Sequence, residues 1–248
     1  MPPKKRDTRQ EELTSAEDKA ADEKWIAQNI DITVNGLPYE PNYIKTVPMT
    51  NRDENPVIFL EIEAAGGVKQ LDGVVTLPRI IGRLYFELRR DICPVTCANF
   101  LMLVQGGLGF SLKDSVNYHY KGTKLHRVVK DKLFQGGDLM GRDGHCSRSS
   151  YKDGCLFKDE NFTLRHTGPG CLSMCNRGAD TNGSLFQVTI TAQPALDERC
   201  CVFGCLCTDE SYRVLEFLSY FGTSDGKPTE ELRIAACDVV FPRVEKFA

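Results

Sequence analysis

The sequence predicts a mainly β domain, an antiparallel barrel rather than a doubly wound sheet. Two observations carry that reading. From Asn55 onward the apolar residues fall in many short, alternating runs. Only two segments there have the spacing of a good helix, too few for a parallel sheet with a helix after each strand.

The elements follow in order. Residues 1–54 read as an N-terminal extension and residues 55–248 as the main domain. In the extension, Thr14 precedes Glu17 by three residues, a capping-box spacing, and the Ala-rich continuation predicts a short helix that carries Trp25, the only tryptophan. Ile30, Ile32 and Val34 then alternate up to Asn35-Gly36, a strand entering a tight turn. The extension reads as a solvated tail, a strap packed on the main domain or a docking arm for a partner protein, and Trp25 with Ile26 and Ile30 favours packing. PVIFLEIE and GRLYFEL are strands separated by a Gly-containing loop from about Ala64 to Pro78. CPVTCANFLMLVQG reads as a helix, with Pro94 in its first turn and Gly106 at its end. DESYRVLEFLSYFG reads as the second, with Val214, Leu215, Leu218 and Phe221 on one face and Gly222 as its stop. TKLHRVV, LSMCN, LFQVTIT, CVFGCLC and RIAACDVVF supply the remaining short strands. There is no internal repeat.

A net charge of −3 gives no global basic field, so nucleic acid is not an expected partner. No run approaches eighteen uncharged apolar residues and the start lacks an apolar signal region, so a membrane is not expected either. The expected location is the cytoplasm, with the PPKKR start leaving the nucleus open. Eleven cysteines in such a chain read as reduced thiols. None of their spacings pairs one CxxC with a second, and Cys205 and Cys207 alternate into one face of a strand-like run, so small buried thiols are expected and no metal site is assigned.

A screen for reactive constellations finds no GxxxxGK[ST], HExxH, GxSxG or strand-to-helix GxGxxG. His119, His126, His145 and His166 lack the spacing of a helical metal site. What stands out is FQGGD, DENF, HTGPG, LSM and TNGS occurring in that order between residues 120 and 204. In these segments the sequence resembles the cyclophilin family, from about Asn55 to near the C-terminus. The resemblance implies an eight-stranded antiparallel β-barrel capped by two α-helices, with a groove for proline-containing peptides or proteins on its outer face. It implies a peptidyl-prolyl cis-trans isomerase, a rotamase of protein folding, which needs no cofactor.

That chemistry fits the empty screen. Rotation about an X–Pro bond faces a barrier of about 18–20 kcal/mol because twisting breaks amide conjugation. As the bond twists the prolyl nitrogen regains a lone pair, and a donor aimed at it binds the twisted state better than the planar one. By resemblance Arg127 is that donor, Gln135 helps hold Arg127 and the substrate carbonyl, and Asn176 pairs its backbone with the extended peptide.

The ring pocket departs from the family. Positions that carry two phenylalanines, a methionine, a leucine, a histidine and a rim tryptophan read here Lys132, Gln187, Leu133, Leu196, Cys200 and Ala195. Leu185 replaces a groove glutamine, and Arg177 stands where small residues are common at the entrance of a neighbouring pocket. Gly144 and Cys175 complete the substrate-binding set that the resemblance implies. A buried aromatic contributes about 1.5–3 kcal/mol, so this pocket predicts a weak or selective isomerase and weak cyclosporin binding. The alternative is a non-catalytic peptide- or protein-binding module on the same barrel.

Overall fold

The structure is a computed structural model that describes residues 33–34, 37–38, 55–64, 78–113, 115–141 and 143–241. The expected helix around Trp25 and the loop from Ala64 to Pro78 lie almost wholly outside the described residues. In the extension, β1 (Thr33–Val34) pairs antiparallel with β2 (Leu37–Pro38), Val34 opposite Leu37, on either side of the Asn35-Gly36 turn signal.

The main domain is one eight-stranded antiparallel sheet. Its strands are β3 (Val57–Ala64), β4 (Arg79–Leu88), β7 (Arg127–Val129), β8 (Leu133–Gly136), β9 (Cys171–Met174), β10 (Phe186–Thr189), β11 (Val202–Leu206) and β12 (Leu232–Phe241), in the order β12-β3-β4-β11-β9-β10-β8-β7. A small hairpin of β5 (Phe110–Ser111) and β6 (Val116–Asn117) stands apart from it. The sheet curls on itself. The segment leading into β7 bonds to the opposite edge strand, with Gly122 N–H to Ile234 O at 2.7 Å and Leu125 N–H to Leu232 O at 3.0 Å.

Alternation does its expected work in β3 and β4. Ile58, Leu60 and Ile62, and Leu84, Phe86 and Leu88, are fully buried. Strand β11 is buried along its whole length, so Cys205 and Cys207 do not mark one face against a solvated other: Leu206 between them is buried as well. All eleven cysteines are unbridged, with Cys155 exposed, Cys175 half-buried and the others buried.

Helix α1 (Pro94–Gln105) starts at Pro94 and ends at Gly106, whose φ of 65° is the left-handed cap that glycine supplies cheaply. Its first turn is capped from a distance. Cys93 at the N-cap makes no side-chain bond, and Glu160 of the DENF segment instead accepts from Val95 N–H at 2.9 Å and Thr96 N–H at 2.8 Å. From this helix Phe100 enters the barrel mouth among Tyr120, Phe203 and Phe186, with centroids 4.9, 5.1 and 5.5 Å away. Helix α2 (Asp209–Ser219) packs on β4 and buries Val214, Leu215, Leu218 and, just past its end, Phe221. It stops one turn before the expected Gly222. Thr208 caps its start by accepting from Ser211 N–H.

Candidate functional site

The expected groove residues gather where β7, β8, β10 and β9 lie side by side. Arg127 stands directly opposite Gln135, Gln135 opposite Gln187, and Gln187 opposite Ser173. Cross-strand partners share a face, so these four side chains form one row. The register between β8 and β10 is regular, and Phe134 and Phe186, one residue along from Gln135 and Gln187's neighbourhood, are fully buried on the core side. No slip brings either ring into the groove. The groove face carries Gln187.

Arg127 is exposed, and among the described residues its guanidinium has no hydrogen-bond or ion-pair partner. Its stem runs past Gly226, where a Cβ would stand 2.8 Å from Arg127 Nε, so only glycine leaves the arginine its place. The guanidinium is close enough to Cys175 to oppose the rise in that thiol's pKa, a rise that burial causes. Gln135 does not hold Arg127 through a hydrogen bond here. Its Nε2 donates to Gln187 Oε1 at 3.1 Å instead.

Gln187 is the centre of the floor and is only 2% exposed. Its Oε1 accepts from Gln135 and from the Cys175 thiol at 3.4 Å, and its Nε2 donates to Ser173 Oγ at 3.1 Å. Both ends of the buried amide therefore have hydrogen-bond partners, which offsets the cost of burying it.

The chain of bonds continues inward. Ser173 Oγ lies 2.9 Å from His166 Nε2, and His166 Nδ1 lies 3.0 Å from Asp197 Oδ1, which also accepts the His166 backbone N–H at 2.9 Å. Burial pushes the His166 imidazole below its ordinary pKa against the pull of Asp197. Burial works to raise Asp197, but the bonds from His166 outweigh it and hold the carboxyl below its ordinary value. Asp197, His166 and Ser173 stand in the order of a nucleophilic triad. Ser173 is fully buried and its oxygen already takes the Gln187 amide, so it offers no substrate a nucleophile. Reading the sequence did not find this chain, because its members are 7 and 31 residues apart and meet only through the sheet.

The other groove residues take their places around this row. Asn176 donates from Nδ2 to Arg199 O at 2.6 Å, and among the described residues its own backbone N–H and C=O make no hydrogen bond. Arg177 is exposed, its N–H held by Thr181 Oγ1 at 2.9 Å and its Nη2 donating to Gly144 O at 3.0 Å. Gly144 is set by Asp138, whose buried carboxylate accepts Met140 N–H at 2.9 Å and Gly144 N–H at 2.8 Å. Lys132 and Ala195 are exposed, Leu133 and Leu196 half-buried, and Leu185 and Cys200 buried. Burial raises the Cys200 pKa, with Gln187 working against it.

This barrel and groove define the chain's class: it belongs to the cyclophilin-type peptidyl-prolyl cis-trans isomerase family. The family model described as "Cyclophilin type peptidyl-prolyl cis-trans isomerase/CLD" matches residues 74–239. Among curated proteins, the chain is 42% identical over 156 residues to the Bos taurus protein named "Probable inactive peptidyl-prolyl cis-trans isomerase-like 6", covering 63% of this chain and 49% of that protein. The Homo sapiens protein of the same name is 42% identical over 154 residues, with 62% and 48% covered. The Mus musculus "NK-tumor recognition protein" is 40% identical over 167 residues, covering 67% of this chain and 11% of that protein. The chain thus spans about half the length, or much less, of these relatives.

Proposed function

We propose that the chain is a weak, selective isomerase of X–Pro bonds in proteins, with Arg127 as the group that favours the twisted bond. The observation that carries this reading is the exposed Arg127 guanidinium, without a hydrogen-bond partner among the described residues, directly across the sheet from Gln135. A ligand strand on Asn176 brings its prolyl amide under a charged donor, and the charge counts for more as the nitrogen pyramidalises. Weakness follows from the floor: Gln187 and Cys200 replace apolar wall, and Lys132 and Ala195 are exposed rather than packed over a ring. Proline-containing clients, a partner protein on residues 1–54 and a cytoplasmic or nuclear location belong to the same proposal, the last supported by eleven unbridged thiols.

The test is isomerisation of a panel of X–Pro peptides by the full chain against Arg127→Ala. Loss of a charge-assisted bond made in the twisted state lowers the rate by about ten- to a hundredfold. Equal rates for the two proteins remove the mechanism. A second reading, a binding module without turnover, is favoured by the closed hydrogen bonding of Gln187 and by the relatives whose name includes "probable inactive". Peptide binding without exchange enhancement would select it.

A further inference from the structure

We infer that Asp197, through His166, Ser173 and Gln187, sets the orientation of the Gln135 side-chain amide, making Ser173 and Asp197 positioning residues for Arg127. The inference rests on the role proposed above for Arg127.

The direction of each bond follows from the one before it. A carboxylate only accepts, so Asp197 Oδ1 fixes the proton of His166 on Nδ1, at 3.0 Å. The imidazole is buried and neutral at pH 7, so its Nε2 is a bare lone pair and Ser173, 2.9 Å away, must give it the hydroxyl proton. With its proton spent, the Ser173 oxygen can only accept from Gln187, which turns the Gln187 nitrogen towards Ser173 and its oxygen towards Gln135. Gln135 then has to offer its nitrogen, as it does at 3.1 Å. The orientation of two amides, ordinarily free to flip, is decided by a charge four side chains away.

The consequence falls on Arg127, whose Cα is the direct cross-strand partner of Gln135. With its nitrogen held by Gln187, Gln135 keeps its oxygen outside the chain, an acceptor for a guanidinium on the same face. A flipped Gln135 would set N–H groups against N–H groups and push the arginine away. The polar Gln187 creates this hazard, since an undirected glutamine can pull Gln135 either way, and the Asp197 chain removes it. The dependence on Ser173 should therefore exist only while residue 187 can hydrogen-bond.

The experiment is a cycle in the full chain: wild type, Ser173→Ala, Gln187→Leu, the double variant, and Asp197→Ala, which removes the acceptor at the far end, each checked for folding by urea midpoint. Turnover of an X–Pro peptide is measured by magnetisation exchange, and the Gln135 side-chain amide is followed by 1H–15N spectra. Ser173→Ala and Asp197→Ala are expected to lower kcat about tenfold with KM changed by less than about twofold, and Ser173→Ala on the Gln187→Leu background to change kcat less than about twofold. The Gln135 amide is expected to lose its one shifted, slowly exchanging proton in both single cuts of the chain. An unchanged Gln135 amide in Ser173→Ala and Asp197→Ala, or an equal cost of Ser173→Ala with and without Gln187, overturns the inference. If wild type turns over no peptide, the isomerase reading falls and the amide spectra alone decide the orientation.

Discussion

The Arg177 guanidinium reaches from the loop after β9 to the Gly144 carbonyl in the loop after β8, donating from Nη2 at 3.0 Å. The contact uses one nitrogen, and by the resemblance it lies at the entrance of the pocket next to the proposed proline site, where the other guanidinium N–H groups would meet a ligand. Among the described residues no carboxylate pairs with this arginine. Peptides with Glu two residues before proline should therefore be preferred over peptides with Lys there. Exposed charge pairs contribute little, so the expected ratio is about two- to fivefold at low salt, shrinking as salt rises and vanishing in Arg177→Ala. Equal kcat/KM for Glu-X-Pro and Lys-X-Pro peptides would contradict it.

Three histidines tie stability to pH. Burial lowers His166, His126 and His119 below the ordinary value of 6.5, with Asp197, Asp138 and Val104 O respectively pulling the other way. Folded protein thus binds fewer protons than unfolded protein once the pH drops past 6.5, and stability is lost from there downward rather than gained. Above that pH both states are neutral at these sites and the term is flat. Asp197, held below its ordinary carboxylate value, adds a second loss at more acid pH. Urea midpoints at pH 8 and 7 should agree, and those at pH 6 and 5 should fall progressively. A midpoint that rises from pH 7 to pH 5 would show that these rings charge in the folded protein.

How much of this was legible in the sequence depended on the range of the interaction that decides it. Alternation in GRLYFEL and the Pro94 to Gly106 frame of α1 are local signals, and both elements formed where those signals lie. The early end of α2 was not local: Gly222 is held by its N–H on Ser219 O and stands against Lys130, so the glycine serves a turn and a close approach instead of the helix stop. The positions assigned to the groove came from ordered motifs, and the sheet brings Arg127, Gln135 and Gln187 into one row. What those motifs could not convey is that the Gln135 nitrogen bonds Gln187, which is joined in turn to Ser173, His166 and Asp197, residues far apart in the sequence.

Cyclosporin-type ligands should bind weakly. Such ligands need an apolar wall and a donor at the rim, and here Ala195 offers no indole N–H, Lys132 is exposed, and Gln187 sets a polar amide where the resemblance implies an aromatic ring. The loss of about 1.5–3 kcal/mol for each missing aromatic puts the expected Kd above about 1 μM. Calorimetry giving a nanomolar Kd would mean that the ligand finds a different apolar surface from the one assigned.

Repair of the pocket is the sharpest test of why it is weak. Gln187 sits on β10 opposite Gln135, and Lys132 stands just before β8, exposed, with its carbonyl accepting Ile190 N–H at 2.7 Å; that the two positions line one proline pocket is what the family resemblance implies, and the repair tests it. Gln187→Phe removes the hydrogen bonds to Gln135, Cys175 and Ser173, yet Ser173 keeps His166, and the half-exposed Gln135 is left free to turn to Arg127 or water. Lys132→Phe alone exposes an aromatic over a polar floor and should gain little. Each ring packs fully only against the other, so the double variant should exceed the sum of the singles and lower KM for an ordinary X–Pro peptide by about tenfold. Arg127→Ala on that background should abolish the gain, since the new walls bind the ring but do not favour the twisted nitrogen. A folded double variant no more active than wild type would mean that this floor was shaped for another ligand, and the binding-module reading would then be preferred.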